Sequence, residues 1–239
     1  MTHVSRMLCG VGMICVIAGA THADIVTTTL DDFSAQNNGW PVITSVDTIA
    51  VYESDVPGVL GGYRGHKVTH VVTATGADSV SASIDTTLGK LDYSSTAGAS
   101  GWVDLTYGGD FAFLMHGILF SEPVSAGSTV TINFDSLSGV SATNALVIYP
   151  SFYDAQNFVM LNPLPLQVKA TGAQAVTYTF PANSGMQNLQ AANFYMAAPT
   201  GASYVLDSIV YSTDIAPTPE PASFGFLLAV PLLLRGRRR

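Results

Sequence analysis

The chain has 239 residues, of which 11% are charged and 48% are hydrophobic. This length fits one domain or two small ones, and the apolar content is enough for a core, so disorder driven by charge is excluded. Between residues 24 and 216, sixteen acidic residues stand against four basic ones, a net charge of −12. Such a body repels phosphate backbones, which excludes nucleic acid as a partner.

Residues 1–23 are typical of a secretory signal peptide. Arg6 precedes an apolar run over residues 7–19, and small residues suited to cleavage follow that run. Both cysteines of the chain, Cys9 and Cys15, lie within this segment. The mature protein is therefore expected to have no cysteine, which excludes disulfides, zinc–thiolate sites and cysteine nucleophiles.

The body, residues 24–216, alternates β-branched and polar residues in short runs that are separated by Gly, Ser, Asn or Pro. Such runs predict β-strands, and no stretch carries apolar residues at helical spacing. Many short strands without crossover helices predict an all-β domain of two packed antiparallel sheets, a β-sandwich or jelly roll. In chain order, the predicted strands cover residues 25–30, 67–75, 79–85, 101–107, 113–120, 129–134, 145–153, 157–161, 166–170, 175–180, 193–196 and 204–212.

The least regular part of the body is residues 35–59, which we interpret as a long ordered connection near one end of the sandwich. The glycines of Leu60-Gly-Gly-Tyr-Arg64 predict a bulge or a left-handed turn that positions the Tyr and the Arg. Together with the opening run Leu30-Asp-Asp-Phe33 and the closing strand, this turn loosely resembles galactose-binding-like sandwiches. That resemblance implies the fold and assigns no ligand.

Three aromatic residues are candidates for sugar binding, since exposed Trp and Tyr rings stack on sugars. Trp40 lies in a polar loop, and Trp102 alternates with apolar neighbours, which predicts that it lies on the more polar face of its strand. Tyr153 lies in a mixed patch around Pro150. The alternative is that these rings fill the core, as most aromatic side chains of a sandwich do.

A structural Ca²⁺ is a second candidate site. Asp31 or Asp32 near the start of the body would lie close to Asp207 in the last strand if the first and last strands pair, and carboxylates are calcium ligands. Strict alternation in the last strand also places Asp207 on one face with apolar neighbours, where a carboxylate needs a partner. The favoured interpretation is that turn and loop amides hold these carboxylates, with Arg64 as another candidate partner of Asp207, and no other cofactor is expected.

Catalytic motifs are missing from the sequence. Asp31 and Asp32 are adjacent and point to opposite faces of a strand, so they cannot act as a pair. His66 and His70 are four residues apart, which separates them by ~13 Å along a strand, too far to share a zinc ion. We therefore expect a non-enzymatic protein, with a secreted hydrolase as the less favoured interpretation.

Residues 217–239 form a tail of three parts. The motif Pro219-Glu220-Pro221 is followed by uncharged, mostly apolar residues 222–234, and then by a basic group. As a helix the apolar part spans ~20 Å, less than the ~30 Å hydrocarbon core of a bilayer. It predicts a short hydrophobic helix that halts transiently in the inner membrane with its arginines on the cytoplasmic side. The basic group consists of Arg235, Arg237, Arg238 and Arg239.

The order of these three parts resembles the PEP-CTERM sorting signal of exported proteins from exopolysaccharide-producing Gram-negative bacteria. The resemblance implies recognition by an exosortase, a membrane protease-transpeptidase. It also implies that the protein passes through the inner membrane as a sorting intermediate. The protein would then end at the cell surface or in the extracellular matrix, in association with exopolysaccharide. The alternative function is a carbohydrate-binding module that holds this matrix through aromatic side chains.

Overall fold

The computed structural model describes residues 24–36, 42–43, 48–72, 78–108 and 119–215. The predicted signal peptide, the apolar segment 222–234 and the sorting motif lie outside these residues. Within the described ranges, no helix is both long and apolar enough to cross a lipid bilayer.

The described chain consists of strands joined by turns, with a single short 3₁₀ turn at Leu60–Gly62. The first eight strands are β1 (Asp24–Asp31), β2 (Val42–Ile43), β3 (Thr48–Glu53), β4 (Arg64–Val72), β5 (Val80–Asp85), β6 (Lys90–Ser95), β7 (Ser100–Tyr107) and β8 (Glu122–Pro123). The remaining strands are β9 (Thr129–Ser138), β10 (Leu146–Asp154), β11 (Val159–Leu161), β12 (Leu166–Val168), β13 (Gln174–Thr179), β14 (Asn188–Leu189), β15 (Ala191–Ala198) and β16 (Ser203–Ile215).

These strands form two seven-stranded sheets. Sheet I has the order β13-β9-β16-β6-β5-β2, and β1 also pairs with β16. Sheet II has the order β11-β10-β15-β7-β4-β3, and β12 also pairs with β10. Strands β8 and β14 form a small separate ladder. The register pairs of both sheets are antiparallel, as expected for a sandwich whose consecutive strands are joined by turns.

The two sheets pack face to face around one core. Leu91 and Leu206 of sheet I and Val103 and Phe194 of sheet II are almost completely buried and belong to the same apolar cluster. Fully burying a side chain of this size stabilises the fold by ~1.5–3 kcal/mol. Alternate residues of each strand point away from this core, so each sheet also has an outer face.

The all-β sandwich predicted from the sequence is confirmed, and the first and last strands, β1 and β16, pair. The left-handed turn is confirmed too, because Gly61 and Gly62 have φ angles of 74° and 71°. The interpretation of residues 35–59 as a connection is wrong, since β2 and all of β3 lie there. Strand β6 was also missed, and most of the predicted strand 113–120 lies outside the described residues.

Candidate functional site

The outer face of sheet II combines aromatic and polar side chains. Along β7 the burial alternates strictly, so Trp102, Asp104 and Thr106 are half-exposed while Val103 and Leu105 are buried. The same alternation in β15 places Asn193 and Tyr195 outward and their neighbours inward. Because β10, β15 and β7 are adjacent, their outward side chains form one continuous surface.

Three aromatic side chains from these three strands meet on this face, and we call Trp102, Tyr149 and Tyr195 the aromatic cluster. The rings of Trp102 and Tyr195 have centroids 5.3 Å apart, and those of Tyr195 and Tyr149 are 5.5 Å apart. Tyr149 lies directly opposite Tyr195 in the register of β10 and β15. Tyr149 is 44% exposed, so the cluster presents apolar ring surface to solvent.

Polar side chains adjoin the aromatic cluster. The amide of Asn193 donates hydrogen bonds to the Asp104 carboxylate and, at 2.9 Å, to the Thr106 hydroxyl. Asp104 lies directly opposite Tyr195 on one side and Lys67 on the other. Burial raises the pKa of the Tyr195 phenol, and the nearby Asp104 and Tyr149 raise it further. Tyr195 is therefore a neutral phenol at physiological pH, beside the Asp104 carboxylate.

The outer face of sheet I has a different chemistry. Hydroxyl and amide side chains of neighbouring strands share hydrogen bonds across it, at 2.7 to 3.2 Å. These side chains are small and satisfy one another, so the described residues of this face offer no ring for stacking. The pairs are Thr27–Ser212, Ser81–Ser94, Thr131–Thr177, Asn133–Ser208 and Ser138–Ser203.

On the inner side of sheet II lies a buried ion cluster of Asp31, Glu53, Arg64 and Tyr107. Arg64 Nη1 donates to both carboxylate oxygens of Asp31, at 3.2 and 3.0 Å. Arg64 Nε and Nη2 donate to Glu53 Oε2 at 3.0 and 2.8 Å. Nη2 also donates to the Ala35 carbonyl at 2.7 Å, and the Tyr107 hydroxyl donates to Asp31 at 2.9 Å.

This buried ion cluster connects the two sheets, because Asp31 ends β1 while its partners belong to β3, β4 and β7. All four side chains are at most 2% exposed, and the charges are compensated by hydrogen bonds as buried charges must be. His66 lies beside it, with Nδ1 3.8 Å from Glu53 Oε2. Burial lowers the pKa of His66 to about 4. The Glu53 carboxylate raises this pKa and the Arg64 guanidinium lowers it, but both effects are smaller than that of burial.

Two of the predicted sugar-binding residues are placed by the structure. Trp102 lies on the polar outer face of its strand, where it joins the aromatic cluster. Tyr153 lies on the same side of sheet II but is only 7% exposed, so it does not offer a free ring. Trp40 lies outside the described residues, as do the sorting-motif residues Pro219, Glu220 and Pro221 and Arg235, Arg237, Arg238 and Arg239.

The predicted calcium ligands do not converge. Asp31 is buried and forms a salt bridge with Arg64. The Asp32 carboxylate instead accepts a hydrogen bond from the backbone amide of Ser34 at 2.9 Å. Asp207 is exposed, because the register of β16 shifts on both sides of Leu206 and reverses the alternation there. The expectation that Asp207 shares a face with Ile209 is therefore wrong. Among the described residues, no group of three or more His, Cys, Asp or Glu side chains is arranged to hold a metal ion.

Sequence reasoning missed Tyr195 and Asn193 as candidate site residues. The run Asn193-Phe-Tyr-Met196 alternates polar and apolar character, which was a usable signal for an outward Asn and Tyr. Their proximity to Trp102 and Asp104 was not accessible, since it depends on β15 pairing with β7 at a separation of about 90 residues.

No protein-family model matches the chain, and no curated protein sequence matches it. Among solved structures, it is similar to the enzymatically active domain of tailspike protein 4 from bacteriophage CBA120, with 11% identity and a TM-score of 0.37. That match covers 62% of this chain and only 19% of the tailspike domain.

Two carbohydrate-binding modules are also similar to the chain. One is a family 29 module in complex with cellulohexaose, with 12% identity, a TM-score of 0.35, and coverage of 81% of this chain and 98% of that one. The other is the family 11 module of a cellulosomal cellulase from Clostridium thermocellum, with 13% identity, a TM-score of 0.32, and coverage of 79% and 95%. These values describe a distant likeness in overall architecture.

Proposed function

We propose that the protein is a non-enzymatic glycan-binding protein and that its binding surface is the outer face of sheet II. One observation carries this proposal: Trp102, Tyr195 and Tyr149, from three neighbouring strands, form a partly exposed aromatic cluster beside Asp104 and Asn193. The outer face of sheet I, with its small paired hydroxyls, has no comparable feature in the described residues.

The chemistry of this surface suits a sugar. One side of a pyranose ring presents C–H groups that pack against the electron-rich face of an aromatic ring, and the ring edge presents hydroxyls. The aromatic cluster supplies the apolar surface. Asp104 accepts hydrogen bonds from sugar hydroxyls, while Lys67 and the Tyr195 phenol donate them. Stacking and hydrogen bonding thus come from neighbouring residues of one rigid sheet, which limits the entropy lost on binding.

Affinity electrophoresis tests the proposal. The wild-type body, residues 24–216, is run through gels that contain a soluble β-glucan, xylan, mannan or an acidic exopolysaccharide. We expect retardation by at least one polymer. We also expect Trp102→Ala and Tyr195→Ala each to weaken that retardation at least about tenfold in apparent affinity, as loss of a central aromatic contact does.

A matched control separates the aromatic cluster from exposed aromatic surface in general. Phe158 is 86% exposed on the turn after β10 and contributes little to the core. Phe158→Ala should therefore retain full binding, and circular dichroism should confirm that all variants are folded. If no polymer retards the wild type, or if Phe158→Ala loses as much affinity as Trp102→Ala, the proposal fails.

The proposal includes a location for this activity. The signal-like residues 1–23 and the PEP-CTERM-like tail support export and exosortase-dependent sorting to the cell surface or matrix, where exopolysaccharide is the available glycan. Intact-mass analysis of surface material from the native host should show loss of the residues that follow Pro221. Recovery of surface protein that still ends at Arg239 would contradict processing of the tail.

A further inference from the structure

Strand β13 is an open edge of sheet I. It ends the strand order of that sheet, so among the described residues it pairs on one side only, with β9. Its six residues keep an uninterrupted register with β9, without a bulge. An edge of this length presents a row of backbone donors and acceptors to another chain, whereas the opposite edge of the sheet, β2, has only two residues.

The usual protections of an edge strand are missing from β13. Its sequence, Gln-Ala-Val-Thr-Tyr-Thr, contains no charged residue and no proline, the two kinds of residue that commonly block pairing. Lys169 is the only charged residue in the stretch 155–206, although residues 24–216 include sixteen acidic ones. Two copies of this acidic protein can therefore meet at β13 with no carboxylate on the pairing strands.

The hydrogen bonds of β13 show which of its backbone groups face the open edge. The amide of Phe180, the next residue in the same register, donates to the Ser128 carbonyl at 2.8 Å. Because hydrogen-bonded and non-hydrogen-bonded pairs alternate along an antiparallel ladder, Tyr178 and Val176 also direct their backbone groups to β9. The N–H and C=O groups of Thr177 therefore point away from β9, toward the open edge.

The sequence of β13 is complementary to itself in the antiparallel register that is centred on Thr177. With a two-fold axis at this residue, the Thr177 residues of two copies form a hydrogen-bonded pair, and Ala175 of one copy pairs with Thr179 of the other. On the core side, Tyr178 of one copy then lies beside Val176 of the other, a favourable pair of an aromatic and a β-branched side chain. Both side chains are only half-buried in one copy, so this pairing covers exposed apolar surface.

The side of the sandwich that carries the β13 edge also carries the loop between β11 and β12. Tyr178, near the end of β13, stacks on Phe152 with ring centroids 5.1 Å apart, and Phe152 is the register partner of Leu161 in β11. Strand β12 leads into the start of β13 through residues 169–173. The loop from β11 to β12 therefore lies alongside the middle of β13, in the neighbouring sheet.

This loop exposes a large apolar side chain. Leu164 is 87% exposed and lies between Pro163 and Pro165. The prolines restrict the backbone on both sides of the leucine, so it loses little conformational entropy when a partner covers it. A two-fold axis at Thr177 places the loops of two copies side by side, so that each leucine contacts the other copy.

We propose that β13 and the loop between β11 and β12 form the interface of a symmetric homodimer. The β13 strands of two copies pair about Thr177 and join the two copies of sheet I, while Leu164 packs against the other copy's loop. An edge ~20 Å long on a sandwich of two sheets ~10 Å apart buries roughly 800–1,200 Å² in total, which is the range of weak and transient complexes. We therefore expect a dissociation constant of about 10–100 µM.

The dimer has a consequence for the proposed glycan-binding surface. The two-fold axis runs perpendicular to the sheets, so the outer faces of sheet II in both copies point the same way and stay uncovered. Two aromatic clusters on one side let a polymer bind at two points, which raises the avidity without any new contact. This consequence rests on the proposed function, whereas the dimer itself does not.

Sedimentation velocity tests the dimer on residues 24–216, because Ile25–Ile215 form one compact unit. Between about 5 and 500 µM, the wild type should change from monomer to dimer. Leu164→Glu should raise the dissociation constant at least about tenfold, since it places two like charges in the contact. Leu88 is 65% exposed on the turn between β5 and β6, so Leu88→Glu is the matched control and should stay within about twofold of the wild type.

Cysteine cross-linking tests the register, because residues 24–216 contain no cysteine. Thr177→Cys places two thiols at the two-fold axis, where paired Cα atoms are ~5.5 Å apart and a disulfide can form. Thr179 is also exposed but lies opposite Ala175, so the two copies of this position are ~13 Å apart. Mild oxidation should convert most of Thr177→Cys to a covalent dimer and little of Thr179→Cys.

Three results would overturn the proposal, once circular dichroism has shown that the variants are folded. A wild type that stays monomeric at the highest concentration excludes the dimer. Equal weakening by Leu164→Glu and Leu88→Glu places the contact elsewhere on the molecule. Equal cross-linking of the two cysteine variants means that random collisions, rather than the register of β13, bring the thiols together. Each result is obtained without a glycan, so it leaves the proposed function to its own test.

Discussion

The two sides of strands β4 and β7 carry similar residue types with opposite roles. On the inner side, Arg64 and Tyr107 belong to a fully buried ion cluster that joins the sheets. On the outer side, Lys67 and Asp104 are half-exposed beside Trp102. Successive residues of a strand point to opposite faces. A charged side chain at one position therefore lies in the core and stabilises the fold, whereas one at the next position lies on the outer face, where a ligand can reach it.

The largest difference in stability is expected between variants of Arg64 and Lys67, two cationic residues of β4. Arg64→Met leaves Asp31 and Glu53 buried without their counter-ion, which should lower the free energy of unfolding by about 3–5 kcal/mol. Lys67→Met removes a partly solvated amine and should change it by less than ~0.5 kcal/mol. Urea denaturation of both variants measures the contrast. Equal losses of stability would contradict the assignment of Arg64 to the buried side of β4 and of Lys67 to its outer side.

The pH dependence of stability should come from the inner side. His66 has a pKa of about 4 in the fold, against an ordinary value of 6.5, because burial disfavours its charged form. The unfolded chain therefore takes up a proton between pH 6.5 and 4 that the folded protein does not. The associated loss of stability grows as the pH falls through this window, to about 3 kcal/mol at pH 4, and is absent above pH 7.

Denaturation of the wild type and His66→Gln from pH 7.5 to 4 checks this expectation. The difference between the two proteins removes the contribution of the carboxylates, which titrate in both. The variant should show a shallower loss of stability over this range. Parallel curves would show that the pKa of His66 is the same in the folded and the unfolded protein, which would contradict its burial.

A smaller difference in stability is expected between variants of two tyrosines, Tyr107 on the inner side of sheet II and Tyr195 on its outer side. The Tyr107 hydroxyl donates to the Asp31 carboxylate at 2.9 Å in the core, so Tyr107→Phe should lower the free energy of unfolding by about 2 kcal/mol, the value of a hydrogen bond to a buried charge. Tyr195→Phe on the outer side should change stability by less than ~0.5 kcal/mol, with any effect confined to glycan affinity. Thermal denaturation and affinity electrophoresis of both variants measure these effects. A larger loss of stability in Tyr195→Phe than in Tyr107→Phe would contradict the prediction.

The fold was accessible from the sequence because alternation is a local signal. In β7 the alternation continues without interruption, and it placed Trp102 on the outer face in advance. The buried ion cluster was not accessible, since Asp31, Arg64 and Tyr107 are brought together from chain separations of 33 and 76 residues. The aromatic cluster needed the pairing of β10 with β15 and of β15 with β7, which no local pattern specifies.

Asp207 shows how one irregularity defeats a local rule, and it is the residue for which we expect the smallest effect. The register shifts around Leu206 return Ile209 to the core and leave the Asp207 carboxylate in solvent, where water solvates it. Asp207→Ala should therefore change the free energy of unfolding by less than ~0.5 kcal/mol. Millimolar calcium or a chelator should leave the Tm of wild type and variant unchanged, since a ligand raises the Tm only if it binds the folded state.

A calcium-dependent rise in Tm that Asp207→Ala abolishes would restore the cation bridge and place the last strand in the strict alternation that the register excludes. A loss of 2 kcal/mol or more without any calcium effect would mean that Asp207 is an inward carboxylate held by protein donors, and that the inner and outer sides of β16 are exchanged at this point.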